Sequence, residues 1–174
     1  YSQLKGISYA ALRYFNAAGY DLDGRIQGLE KNPANLLPIV METALGRSKS
    51  LDVFGNNYDT PDGTAIRDYI HVTDLATAHI SSLEYIKNKK NNLILNLSTG
   101  KGYSVLEVIK TAEKITGNKI LYKIVDKRDG DPPKMVAVSK LAKNKISWVC
   151  EYSNIETILN SMWNVYNSNG LSIK

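Results

Sequence analysis

Cysteine is nearly absent: the 174-residue sequence carries one, Cys150. A single thiol excludes an internal disulfide and a cysteine-built zinc site, and a reducing cytoplasm is the simplest compartment for such a chain. Within Trp148-Val-Cys150 it reads as a small buried apolar residue rather than a nucleophile. Apolar runs of the roughly 18 residues a membrane span requires are also missing, as is any signal-peptide pattern, so a soluble protein with no membrane partner is expected. A dinucleotide-type glycine fingerprint is missing too, since Gly100-Lys-Gly102 lacks the third glycine and reads as a plain turn. Charge is only mildly unbalanced, with 22 Lys and Arg against 17 Asp and Glu. That basic excess would also suit a nucleic-acid binder. The lysines nevertheless cluster at Lys87, Lys89 and Lys90 without interleaved aromatic residues, as on a solvated loop tip, and no nucleic-acid partner is expected.

What is present is the composition of an ordinary globular protein, 43% hydrophobic and 22% charged. Its length allows about two-thirds of the unfolded surface to be buried. The chain opens on Tyr1 and reaches an apolar run, Ile7 to Phe15, almost at once; the expectation is a fragment whose first strand needs neighbours. That run predicts a buried strand closing in a loop at Asn16-Ala-Ala-Gly19. A helix is predicted from Pro33 or Ala34 to Gly46, capped by Asn32 or Asn35. Leu51 to Phe54, Ile66 to Val72, Leu93 to Leu97 and Lys119 to Val125 read as strands. From Thr73 a helix should bury Leu75, Ala78, His79, Leu83 and Ile86. Ser104 and Glu107 form a capping box ahead of the stripe Val105, Val108, Ile109, Ala112 and Ile115. Ser139 to Lys145 and Ile155 to Tyr166 read as further helices. Strands alternating with helices imply an α/β fold with parallel pairing.

The densest set of chemically capable residues runs from Asp62 to Asp74. Alternation along a strand puts Arg67, Tyr69 and His71 on one face and Asp68 on the other. A guanidinium is a rigid fork of donors suited to phosphate oxygens, so Arg67 is a candidate for gripping a diphosphate; pairing with Asp68 or Asp74 as structural glue fits the pattern equally well. His71, inside a strand, reads as a structural histidine and His79 as a packing one. Lys127-Arg128-Asp-Gly-Asp131 presents cations and carboxylates on a turn that pattern alone assigns to the surface. Arg13-Tyr-Phe-Asn16 closes a strand at its carboxyl end, where open α/β sheets bind ligands.

Taken in order, Arg13-Tyr-Phe-Asn16, Asn35-Leu-Leu-Pro38, Val53-Phe-Gly55, Tyr58-Asp-Thr-Pro-Asp-Gly-Thr-Ala-Ile-Arg-Asp-Tyr-Ile-His-Val72, Asn96-Leu97, Ser104-Val105 and Arg128-Asp-Gly-Asp131 resemble the UDP-glucose 4-epimerases. These are extended short-chain dehydrogenases/reductases. The likeness runs over essentially the whole chain, and Asp59 to Thr64 looks like the hexose 4-epimerase version of its segment. It implies that residues 1–174 are the C-terminal, nucleotide-sugar-binding portion: 7–16 as the last part of a Rossmann-type sheet, followed by the smaller α/β substrate-binding domain. It implies a bound NAD, UDP-glucose and UDP-galactose as partners, a role in galactose metabolism, and a homodimeric full-length parent. Tyr14 would lie beside the nicotinamide and Asn16 would contact the sugar or its phosphate. Asn35 and Leu36 would face the diphosphate from a helix start, while Val53 and Phe54 flank uracil. Arg67 and Arg128 would clamp the diphosphate, with Tyr69 and Val105 lining the nucleotide pocket and Asp131 reaching a ribose hydroxyl. Met135 falls at the position that limits the N-acetyl group, and its intermediate size implies secondary activity on UDP-N-acetylhexosamines. The family's glycine-rich fingerprint and Tyr-x-x-x-Lys pair are expected upstream, leaving no catalytic residue in this chain and no turnover by it alone. A dehydratase-type relative, or a non-catalytic UDP-sugar-binding module, is the alternative.

Overall fold

The computed structural model describes residues 2–170. Behind a short helix α1 (Ser2–Lys5) comes β1 (Ala10–Arg13), which pairs in parallel with β6 (Leu93–Asn96), Ala10 opposite Leu93 and Arg13 opposite Asn96. The strand is shorter than Ile7 to Phe15, and the predicted loop after it is instead a second strand, β2 (Asn16–Ala18), parallel to β5 (Tyr69–His71). The reason is a change of partner. The ladder to β6 is bounded by the carbonyls of Tyr9 and Arg13, so Tyr14 and Phe15 bridge two sheets instead of continuing one. The sheet begun in 7–16 thus extends into β6.

Ile66 to Val72 breaks in the same way. Ile66–Arg67 (β4) lies between β7 (Tyr103–Ser104), antiparallel, and β9 (Lys134–Met135), parallel, whereas β5 belongs to the other sheet. Asp68, at the break, is 1% exposed. Its carboxylate accepts from Ser98 Oγ and from Thr99 Oγ1 at 2.7 Å, and its carbonyl accepts from Asn16 Nδ2 at 2.8 Å. A fully bonded carboxylate at the hinge fixes where the chain leaves one sheet for the next. Gly102 beside it is held by space: a Cβ there would meet Ile66 and come within 2.7 Å of Val136.

Helix α2 (Leu36–Ala44) is shorter than predicted; Asn35 is its N-cap without a side-chain bond. It packs with α4 (Val105–Thr116) and α6 (Ile155–Gly170) over β3 (Leu51–Phe54), which pairs with β8 (Tyr122–Val125), a strand shorter than Lys119 to Val125. Val40, Met41, Val108, Ile109, Ile158 and Leu159 form the centre of that core. The capping box of α4 is complete, with Ser104 Oγ accepting from Glu107 N and Glu107 accepting from Ser104 N.

A second core joins β1 and β6 to α3 (Val72–Lys89) and α5 (Lys140–Ile146) through Ile70, Leu75, Ala78, Leu95, Ala142 and Trp148. Of the predicted stripe on α3, Leu75 and Ala78 are buried and Ile86 is half-buried, but Leu83 is 67% exposed and His79 is exposed, and Asp74 and Ser82 complete the buried face. A carboxylate explains the rotation. Asp74 accepts from Glu151 N at 3.1 Å, Tyr152 N at 3.0 Å and Ser153 Oγ, and those bonds turn its side of the helix inward. Cys150 is half-buried against this core, its thiol pushed up to about 11 by burial and by Asp74, as expected of a packing residue. No helix among the described residues is long and apolar enough to cross a membrane.

Candidate functional site

A cleft of about 750 Å³ opens where these sheets meet, bordered by the N-terminus of α2, β3 to its carboxyl end, Arg67 of β4, Tyr69 at the start of β5, and the loop before β9. Its cationic end is built from distant segments. Arg67, with a side chain 15% exposed, donates from Nη1 to the Ile66 carbonyl at 2.8 Å and from Nη2 to Asp131. Its partner is therefore neither Asp68 nor Asp74. Opposite stands Arg128, its guanidinium 3.8 Å from the centroid of the Phe54 ring. Two forked donors facing one cavity, with two of the five N–H groups of Arg67 bonded to described residues and three without a partner among them, suit an oxyanion with several oxygens.

Beside that end, Val53 and Phe54 supply an apolar, aromatic wall at the tip of β3, with Asn35 and Leu36 facing it from the start of α2. Pro38 lies in the first helical turn, where a missing N–H costs no helical bond. The Leu36 and Leu37 amides there carry the positive end of the helix dipole. Tyr69 and Val105 also line the cleft; Tyr69 is 4% exposed, and burial pushes its phenol well above the ordinary range, with Arg67 pulling the other way. It is thus a neutral donor, not a base. At the far end Tyr14 and Asn16 border the cavity, the Asn16 amide held by its bond to the Asp68 carbonyl.

The named candidates converge on this cleft, with one exception. Met135 does not line it: β9 sets it beside Arg67, where its carbonyl accepts the Asp68 amide at 3.1 Å, so it contributes the backbone that supports Arg67. His71 shares with Tyr69 the face of β5 turned toward α6, with Ile70 on the opposite face, but it does not line the cleft, and Arg67 lies on β4 of another sheet. Its Nδ1 accepts from Thr73 N at 3.1 Å; its Nε2 is 3.2 Å from Ser161 Oγ, whose hydroxyl donates to the Ile158 carbonyl. The ring is therefore a neutral Nε2–H tautomer.

Tyr20, Glu30, Met162 and Tyr166 also line the cleft and were not singled out from sequence. Tyr20 meets Tyr166 edge-on, the centroids 6.1 Å apart. Nothing in the sequence sets Met162 and Tyr166 apart from the other residues of the helix predicted from Ile155 to Tyr166, so their cleft-lining role had no separate signal. The Tyr-x-x-x-Lys spacing itself does occur in the chain, contrary to expectation, at Tyr1 with Lys5 and at Tyr85 with Lys89. Tyr1 lies outside the described residues; Lys5, Tyr85 and Lys89 do not line the cleft, and no described lysine does.

The chain belongs to the NAD dependent epimerase/dehydratase family, whose model matches residues 1–98. Within it the sequence is similar to UDP-glucose 4-epimerases. It is 42% identical to that of Halalkalibacterium halodurans over 159 residues, covering 91% of this chain and 48% of the relative. Against that of Homo sapiens identity is 44% over 156 residues, covering 87% and 44%. The crystal structure of the Stenotrophomonas maltophila UDP-glucose 4-epimerase, with bound NAD and formylated UDP-arabinopyranose, superposes with a TM-score of 0.92 at 34% identity, covering 98% of this chain and 51% of that one. The Brucella ovis enzyme in complex with NAD gives 0.91 at 41% identity, covering 95% and 51%. The chain spans about half the length of the relatives it matches.

The residues here fit part of a dinucleotide. Tyr14 and Phe15, 41% and 45% exposed, offer flat surfaces where β1 gives way to β2, suited to one face of a planar ring. No glycine-rich phosphate loop among the described residues accompanies them.

Proposed function

We propose that this chain is the UDP-sugar-gripping portion of a UDP-glucose 4-epimerase, which interconverts UDP-galactose and UDP-glucose through a 4-keto intermediate. The observation that carries this reading is the meeting of Arg67, Arg128, Phe54 and the start of α2 around one cleft, from four separate stretches of sequence. In this reading the two guanidiniums clamp the diphosphate, and uracil lies against Val53 and Phe54. Asn35 and Leu36 add an amide and a helix start, Tyr69 and Val105 close the nucleotide pocket, and Asp131 is within the reach of the ribose. Tethered through the diphosphate of a firmly held UDP, a neutral keto sugar that is itself held loosely can turn over and present its other face. Asn16 contacts the sugar end, and Tyr14 borders the nicotinamide. A bound NAD supplies the hydride acceptor and donor. The proton-transferring pair comes from outside this chain, in keeping with a cleft that no described lysine lines and with relatives about twice as long. The whole enzyme would work as a cytoplasmic homodimer in galactose metabolism.

The test is calorimetry with UDP on the intact protein, alongside an assay of UDP-hexose interconversion. Arg67→Ala should weaken UDP binding by roughly tenfold to a hundredfold, the range of a charge-assisted bond to phosphate. Arg67→Lys should recover little of it, because an ammonium cannot reproduce the fork. An intact protein that neither binds UDP nor interconverts the two sugars would overturn the reading.

A further inference from the structure

Arg67 and Arg128 do not hold themselves in place, and the residue that joins their supports does not line the cleft. Tyr58 is 8% exposed, at the base of a turn closed by its amide donating to the Gly63 carbonyl at 2.9 Å. The far side of the turn is anchored by Asp62, which accepts from Thr64 N at 2.9 Å, Thr64 Oγ1 at 2.7 Å and Ser104 Oγ. From this fixed base the Tyr58 hydroxyl donates to Asp131 Oδ2 at 3.4 Å, and Asp131 Oδ1 pairs with Arg67. The other side of the residue bears on the second arginine. Lys127 Nζ lies 4.3 Å from the centroid of the Tyr58 ring and donates to the Asn57 carbonyl at 2.9 Å, and the next residue is Arg128 on Phe54.

We propose that Tyr58 is a positioning residue for both cationic side chains, its hydroxyl orienting Asp131 and through it Arg67, its ring seating Lys127 and through it Arg128. This rests on the reading of the cleft as a UDP site. Packing alone would require only a ring. The hydroxyl has a directed partner, a carboxylate whose other oxygen holds the gripping residue, and support of this kind keeps a binding group within its productive geometry. Burial first, and the charge of Asp131 second, push the phenol above its ordinary range, so it stays a protonated donor. The hydroxyl's bond is long, which sets a modest effect for its loss. The ring's contact is a cation over an aromatic face and is independent of the hydroxyl.

The two contributions separate in Tyr58→Phe, which keeps the ring, and Tyr58→Leu, which removes both. In the intact protein, two measurements are made: nuclear magnetic resonance of the Arg67 side chain, its signals identified by their loss in Arg67→Lys, and calorimetric UDP affinity. Tyr58→Phe should leave the melting temperature nearly unchanged, speed rotation of the Arg67 guanidinium, and weaken UDP binding by about fivefold. Tyr58→Leu should also loosen Arg128 and weaken binding by roughly tenfold to thirtyfold. An unchanged Arg67 guanidinium in Tyr58→Phe overturns the proposal, whether or not Tyr58→Leu folds. If the guanidinium responds but the unmodified protein does not bind UDP, the positioning role stands and the assignment of the cleft fails.

Discussion

The imidazole of His71 is enclosed by three elements: it ends β5, caps α3 through the Thr73 amide, and meets Ser161 on α6. Burial holds its pKa below the ordinary 6.5, against the opposing pull of Asp74. A histidine of depressed pKa binds fewer protons folded than unfolded between its two values, so stability there rises with pH. Its contribution is complete above the unfolded value and is lost as pH falls through the folded one. Thermal melts should therefore show a lower midpoint at about pH 5.5 than at about pH 7.5. The drop should shrink in His71→Asn, whose amide can still cap the helix. Equal drops would place the titration elsewhere. Asp62 and Glu113 do not explain it: burial raises Asp62, but its Ser104 and Thr64 bonds prevail, and the Ile120 amide leads in lowering Glu113, so both titrate below this window. At this scale the chemistry was legible where residue type carries it. Arg67 is a phosphate candidate from residue type alone, while Arg128 joins it only through the family resemblance, and the carboxylate that orients Arg67 lies 64 positions away and is set beside it only by the fold. Met135, identified by position in a motif, shows the converse, because motif order fixes which strand a residue occupies and not which wall it lines.

The turn from Tyr58 to Gly63 is the element on which the cationic end depends. Gly63 adopts φ 77°, and a Cβ there would lie 2.8 Å from the Asn56 carbonyl carbon and nearer still to its oxygen. Both obstacles are backbone, so no rotamer change relieves them. Gly63→Ala should destabilise the protein by about 3 kcal/mol, combining a left-handed conformation with steric overlap, read as a lower denaturant midpoint with an unchanged slope. UDP binding should weaken with it, since Tyr58 is the other end of the turn. A midpoint unchanged from the parent would mean that the turn rearranges. Elements with an internal signal were legible from sequence: α4 through its capping box, β6 through a short continuous apolar run, and β3 as a short run ahead of a turn-rich stretch. The breaks at Tyr14 and at Asp68 were not, because each marks an exchange of pairing partner, which local periodicity does not encode. Nor were β7 and β9, too short for any period to show. The rotation of α3 was hidden for another reason: it is set by Asp74 bonding inward, against the hydrophobic pattern of its own helix.

At the scale of the molecule, β1 has β6 as its hydrogen-bonded neighbour on one side and none among the described residues on the other. Tyr9, Tyr14, Phe15 and Ile94 are 43%, 41%, 45% and 48% exposed around it. An open strand edge flanked by apolar side chains is a template for pairing with another chain, and the relatives, about twice as long, have further chain with which to cover such an edge. Arg67, Arg128 and the start of α2, by contrast, line one cleft within this chain. The 174-residue chain on its own should therefore separate the two properties. In sedimentation velocity it should associate increasingly with concentration, and Ile94→Lys, which places a charge on the exposed flank, should shift it toward monomer. It should bind UDP yet leave UDP-galactose and UDP-glucose unconverted, because gripping a diphosphate needs two arginines and a helix start, whereas epimerisation also needs a tyrosine–lysine proton-transferring pair, and no lysine among the described residues lines the cleft. Turnover by the isolated chain would overturn that division. A strictly monomeric chain over the same concentrations would instead mean that its own residues shield the edge of β1.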